Sequence, residues 1–161
     1  KISKWLMVNG NITLSRNKIK NFTEYIDDYD NNNQAVNFYK QTNISFSPNI
    51  ISSATLEYAP VSNLQIGLTG KFISRQFLDN TSQINRSIKP YYTQELSTAY
   101  TFTNTHLKEI KLFVQVYNLF STLYVANGYT FSYIYNSESS TSNYYFPMAP
   151  IHFMAGINIK L

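Results

Sequence analysis

Apolar and polar residues alternate along most of this chain. From 151 to 161, Ile151, Phe153, Ala155, Ile157, Ile159 and Leu161 interleave with His152, Met154, Gly156, Asn158 and Lys160. Successive side chains of a strand point to opposite faces, so this segment has one wholly apolar face and one mixed, largely polar face. The same period recurs upstream. Leu6, Val8, Ile12 and Leu14 share a face within 5–15, as do Ile44, Phe46, Ile50, Ala54, Leu56 and Tyr58 within 42–58. Leu64, Ile66, Leu68 and Phe72 define a third strand, and Tyr92, Leu96, Tyr100 and Phe102 a fourth over 91–102. Ile110, Leu112, Val114 and Val116 open a fifth, and 144–161 forms the last. Pro48 cannot donate a ladder hydrogen bond, so it marks a bulge or a weakly paired part of the second strand.

The segments between the strands fix an orientation. Long polar loops at 16–41, 78–90 and 136–143 alternate with short turns at 59–63 and 103–108. Transmembrane barrels have short periplasmic turns and longer extracellular loops. The pattern predicts an all-β, antiparallel up-and-down transmembrane β-barrel with the long loops outside and the last residue in the periplasm. Keeping that parity requires the fifth strand to run unbroken through Asn118-Leu119-Phe120 to Tyr133, with a bulge at most. Leu112, Val114, Val116, Ile151, Phe153, Ile157, Ile159 and Leu161 then face lipid. Glu57, Glu95, Glu109, Lys71, Arg75 and Lys111 face inward. Tyr58, Tyr100 and Phe102 lie at periplasmic ends of the outer face, where aromatic girdles meet headgroups. Six strands do not close a barrel, which takes about eight at minimum. The chain, opening on Lys1 with alternation under way by Trp5, is expected to be a piece of a longer one.

Composition sharpens this picture. The 161 residues include 14 Tyr and 11 Phe, but only 14% are charged. The mean hydropathy is −0.26, and no apolar run approaches the ~18 residues of a membrane helix. A barrel escapes that test because half of each strand is free to be polar. The net charge of +4 is scattered along the chain, which argues against a nucleic-acid partner. With no cysteine there is neither a disulfide framework nor a thiolate metal site.

Candidate chemistry is sparse. The chain has no zinc-protease His pair, no nucleophile elbow and no phosphate-binding Gly-rich loop. His106 falls in a turn and His152 on the inner face, each without a nearby carboxylate in sequence. No cofactor and no catalytic residue is expected, and the reading is of a protein that is not an enzyme. Asp28, Asp30 and Asn32 have the alternating oxygen spacing of a calcium loop. Against this, Asn33 stands where the turn glycine belongs and Tyr39 where the bidentate Glu would be, so a solvated loop is the default. Tyr25, Tyr29, Tyr39, Tyr133 and Tyr135, in or beside the long loops, suit contact with a ligand, since aromatic faces and amides fit glycans or ferric chelates.

Several short motifs in order resemble one family. Asn118-Leu119-Phe120 followed by Tyr124 is similar to the Asn-Leu-Phe…Tyr element near the end of TonB-dependent outer-membrane receptors. The approach Tyr145-Phe146-Pro147-Met148-Ala149-Pro150, the close Gly156-Ile157-Asn158-Ile159-Lys160-Leu161, the run 75–81 and Ser45-Phe46-Ser47-Pro48 resemble the same family. The resemblance implies a barrel of about 22 strands, filled by an N-terminal plug that TonB rearranges to import a nutrient. Residues 1–161 would be the C-terminal segment of the barrel domain, its last six strands, without the plug and earlier strands. The implied partners are outer-membrane lipid, the plug of the same parent chain, the TonB complex and an unidentified nutrient ligand, in the outer membrane of a Gram-negative bacterium. The chain departs from the family in ending on Leu rather than an aromatic. Two rivals stand beside this reading. One is a passive porin-like or anchoring outer-membrane barrel; the other is a secreted soluble β-sandwich that binds sugar, with its apolar faces buried between two sheets.

Overall fold

The computed structural model describes residues 2–103 and 108–160. These residues form twelve strands and no helix. Six of them, β1 (Leu6–Leu14), β4 (Ile50–Val61), β5 (Leu64–Ile73), β8 (Tyr91–Phe102), β9 (Glu109–Tyr117) and β12 (His152–Lys160), make one antiparallel sheet in the order β1-β4-β5-β8-β9-β12. It is an open meander with β1 and β12 at its edges, and we call it the wall.

Cross-strand register turns the sequence period into a surface. Val8 pairs with Leu56, Leu56 with Leu68, Leu68 with Leu96, Leu96 with Val116 and Val116 with Phe153. One apolar side chain from each strand thus lies in a single row across the wall. Leu112 pairs with Ile157 and Ile110 with Ile159 on the same face. The opposite face carries Asn9, Thr55, Thr69 and Glu95 in one row and Glu57, Gly67, Ser97 and Gln115 in another. A shift of one residue in any strand would invert its faces, so agreement across five pairings is strong specification. No strand of another sheet packs on the apolar face among the described residues. Leu112, Val114, Phe153, Ile157 and Ile159 stay exposed there. The arrangement of a two-sheet sandwich, with its apolar faces interleaved, is absent from the described residues.

The strand ends opposite the short β4–β5 connection at Ser62 and Asn63 all lead into long excursions. Leu14 meets Ile50, Ile73 meets Tyr91 and Tyr117 meets His152 at this end. The first excursion contains the hairpin β2 (Lys18–Asp28) and β3 (Asn33–Asn43). The second contains the short pair β6 (Gln76–Phe77) and β7 (Ser87–Ile88), and the third the hairpin β10 (Val125–Tyr135) and β11 (Glu138–Pro147). The two hairpins join as a four-stranded sheet, β11-β10-β2-β3, through a short parallel contact of Tyr133 with Asp27 and Ile134 with Asp28. We call this second sheet, with the β6–β7 segment, the cap.

Several boundaries differ from expectation. The fifth strand does not run through to Tyr133: β9 stops at Tyr117, and β10 pairs with β11 and β2 instead of the wall. Asn118 (φ 49°) and Ser121 (φ 53°) adopt left-handed backbone that ends the ladder. Parity survives because the chain returns as a hairpin, leaving an even number of crossings between β9 and β12. Residues 42 and 43 end β3, and Pro48 lies before β4 rather than inside a strand. The chain from 16 to 41 is mostly hairpin, Tyr144 belongs to β11, and Ile151 stands just outside β12. The turn expected at 103–108 lies largely outside the described residues, as do His106 and Leu161.

The tightly packed centre is not in the wall. The buried apolar side chains Ile26, Leu78 and Ile88 all belong to the cap.

Candidate functional site

The cap is held from within by one arginine. Arg86, 4% exposed, pairs with Glu24 of β2 and with Asp79 at 3.1 Å, and donates to Thr141 Oγ1 of β11 at 3.3 Å. Three separated stretches of chain therefore meet at one guanidinium, whose planar fork suits several acceptors at once. Glu24 also accepts from Asn37 Nδ2 (3.1 Å) and from the Tyr39 hydroxyl (2.8 Å). Burial works to raise the Glu24 carboxyl. The hydrogen bonds from Arg86, Tyr39 and Asn37, with the Arg86 charge, outweigh it and hold Glu24 below the usual glutamate range. Burial likewise disfavours charge on Arg86, and its two carboxylates more than compensate.

Around this centre the 79–87 segment is stitched to its neighbours. Asn43 N donates to Ser82 Oγ at 2.6 Å, Ser45 N to Asn80 Oδ1 at 2.8 Å, and Asn143 Nδ2 to the Asn85 carbonyl at 2.7 Å. At the far end Asp30 joins the two hairpin tips, accepting from Asn136 N (2.9 Å) and Ser137 N (2.7 Å). Both donors have left-handed backbone, which turns their amides toward one carboxylate. At the near end Asn118 braces the turn after β9, donating to the carbonyls of Thr122 and Ala149 at 3.0 Å and accepting from Thr122 N at 2.9 Å.

The five tyrosines expected to contact ligand do not form one site. Tyr39 is withdrawn into the Glu24 network, its hydroxyl also accepting from Gln83 Nε2 at 3.2 Å. Tyr25 lies on the other face of β2–β3, opposite Val36 and next but one to Asp27, which pairs with Tyr133. Tyr29 and Tyr133 approach ring to ring at 6.0 Å. Tyr133 and Tyr135 alternate with Ser132 and Ile134 along β10, sharing a face with Tyr129 and Phe131. Tyr129 stacks on Tyr144 at 4.8 Å and 14°. The result is an exposed face rich in rings, holding four of the five tyrosines together with Tyr129, Phe131 and Tyr144.

Asp28 and Asp30, weighed as calcium ligands with Asn32, have protein donors instead. Asp28 accepts from Asp30 N, Asn31 N and Asn31 Nδ2, and Asp30 accepts from the β10–β11 tip. No cluster of three metal-ligating side chains occurs among the described residues. His152 lies on the polar face, its ring stacked on Tyr117 at 5.1 Å and its Nδ1 2.8 Å from the Pro150 carbonyl. Of the charged residues expected to face inward, Glu57, Glu95, Glu109, Lys71 and Lys111 fall on the polar face by register. Arg75 lies beyond β5 and donates to Ser87 Oγ at 2.7 Å.

No family model and no curated protein matches this chain. Solved structures do. The chain is similar to the ferric-catecholate import receptor Fiu of E. coli K12 in its open form, with TM-score 0.60, 17% identity and 98% of this chain covered. The closed form of Fiu gives 0.61 and 16% over the same share. The ferric citrate transporter FecA, unliganded, gives 0.54 and 22% over 70% of this chain. The matched region is 19% of each Fiu chain and 17% of FecA, so this chain spans about a fifth of the receptors it resembles. At these identities the likeness is one of fold. The resemblance to TonB-dependent receptors drawn from the sequence motifs is borne out at that level.

Proposed function

We propose that the chain is the C-terminal six-stranded segment of the barrel domain of a TonB-dependent outer-membrane receptor that imports a nutrient, and not an enzyme. The observation that carries this is the unbroken apolar row Val8-Leu56-Leu68-Leu96-Val116-Phe153, left without a covering sheet on the face opposite the polar rows. In water each such side chain left uncovered forgoes roughly 1.5–3 kcal/mol of burial; against hydrocarbon the cost vanishes. Leu112, Val114, Val116, Ile151, Phe153, Ile157, Ile159 and Leu161 are assigned to lipid, with Tyr58, Tyr100 and Phe102 at the periplasmic boundary. The cap then stands outside the cell.

On this reading the remaining strands close a barrel of about 22, a plug of the same parent chain fills it, and the TonB complex supplies energy. The ring-bearing face with Tyr25, Tyr29, Tyr133 and Tyr135 receives the ligand. A ferric chelate is the first candidate, since the similar solved structures are an iron-catecholate receptor and a ferric citrate transporter. Membrane fractionation of cells making the parent protein tests the placement: it should sediment with outer membrane and need detergent for release. Growth on ferric chelates as sole iron source, with and without the gene, tests the cargo. A parent protein that is soluble and monomeric without detergent overturns the proposal.

A further inference from the structure

A groove of about 840 Å³ opens where the wall meets the cap, between the start of β8 and the segments flanking the β10–β11 hairpin. Its lining is of two kinds: Tyr92, Leu123 and Met148 are apolar, while Ser87 and Lys89 are polar. Behind Ser87 stands a second cation, since Arg75 donates to its hydroxyl. Tyr91 and Tyr124 stack at 4.6 Å along the groove. Tyr145 donates to the Ser87 carbonyl at 3.3 Å, holding the β11 side to the β7 side.

The apolar part of the lining joins the apolar face of the wall through Tyr92. Tyr92 pairs with Phe72 on that face, in the second position of β8. Beyond it, Leu123 is 89% exposed, Phe120 69% and Met148 44%. Large apolar side chains left this open on a connecting segment are costly in water and favourable in an acyl layer. Lys89 precedes Tyr92 by three residues, between β7 of the cap and β8 of the wall, and is exposed. A basic group at that level meets headgroup phosphate.

We propose that this groove binds one phosphorylated lipid of the surrounding leaflet, its acyl chain against Tyr92, Leu123 and Met148 and its headgroup phosphate at Lys89. The assignment rests on the membrane reading above. It is amphipathic continuity, apolar toward the wall and cationic toward the cap, that selects a lipid over a water-soluble cargo.

Photocrosslinking of the intact, membrane-inserted parent protein in cells grown on radiolabelled phosphate tests it. A benzoylphenylalanine is placed at Leu123, at Ile157 on the wall, or at Tyr135 on the hairpin tip. Labelled lipid adducts are expected from Leu123 and Ile157 and none from Tyr135. Lys89→Glu should lower the Leu123 adduct at least fivefold and leave the Ile157 adduct unchanged, with Lys89→Arg restoring it. Lipid adduct at Ile157 but none at Leu123, a protein or soluble-ligand adduct at Leu123, or a yield indifferent to Lys89→Glu would overturn the groove assignment alone. No lipid adduct at either position would overturn the membrane reading, and the groove with it.

Discussion

Arg86 lies in a stretch of Asn, Ser, Thr and Gln that offers no spacing signal, and its partner Glu24 is 62 residues away. Nothing in the linear pattern could have joined them; only the folded cap does. Replacing Arg86 with Met strands a poorly exposed carboxylate, a change that costs roughly 3–5 kcal/mol in comparable buried pairs. Hydrogen exchange across β2, β3 and the 79–87 segment should accelerate, while the wall strands stay protected. The pH dependence follows from the direction of the Glu24 shift. A carboxyl held below its unfolded value contributes stability that is complete above the ordinary glutamate range and is lost as pH falls through the lowered folded value. Exchange in β2 should therefore rise as the buffer becomes acidic in the parent protein, whereas in Arg86→Met, already fast at neutral pH, acid neutralises the stranded carboxylate and the acid-induced rise is lost. Gly156 gives a second residue-level test. A Cβ there would lie 2.7 Å from Phe113 Cε1, because the Phe113 ring covers its cross-strand neighbour. Gly156→Val should destabilise by about 1–3 kcal/mol, and adding Phe113→Ala should recover part of that in chemical denaturation.

At the level of elements, the hairpins behave as one body because their tips share the Asp30 carboxylate and their strands touch at Tyr133 and Asp27. Asp30→Ala removes two acceptors at once, and about 1–3 kcal/mol should be lost from that junction. Limited proteolysis is expected to cut near Asn136 and Ser137 in the variant before it cuts the parent protein. The wall strands were legible in sequence because period-two alternation survives on both faces of an open sheet. Excursions were legible only as polar stretches. In the third, β10 alternates Tyr and Phe with Thr and Ser from Tyr129 to Tyr133, a pattern that continues the β9 alternation past Asn118 and disguises the break. The signal that was present is Asn118 itself, a residue tolerant of left-handed backbone, with the polar pair Ser121 and Thr122 three residues on. Of the five tyrosines expected to contact ligand, alternation places Tyr133 and Tyr135 on one face, whereas the inward placement of Tyr39 depends on its hydrogen bond to Glu24.

For the whole molecule, the membrane reading and the register stand together and are tested together. Arg at Val114 or Ile157 should cost roughly 2–4 kcal/mol if those side chains sit near the bilayer midplane. Arg at Gln115 or Asn158, on the polar face of the same paired strands, should cost far less. Folding titrations into lipid vesicles, with the four variants of the parent barrel side by side, read this difference, and equal penalties would contradict the assigned faces.

Ile26, Leu78 and Ile88 put the dry interior above the sheet rather than in it. On the proposed membrane placement, the molecule answers to two solvents. Swapping long-chain for short-chain amphiphiles should melt the strands that border them while the outer tier keeps its shape, so two separate transitions, one sensitive to chain length and one to acid, are the thermal signature to expect.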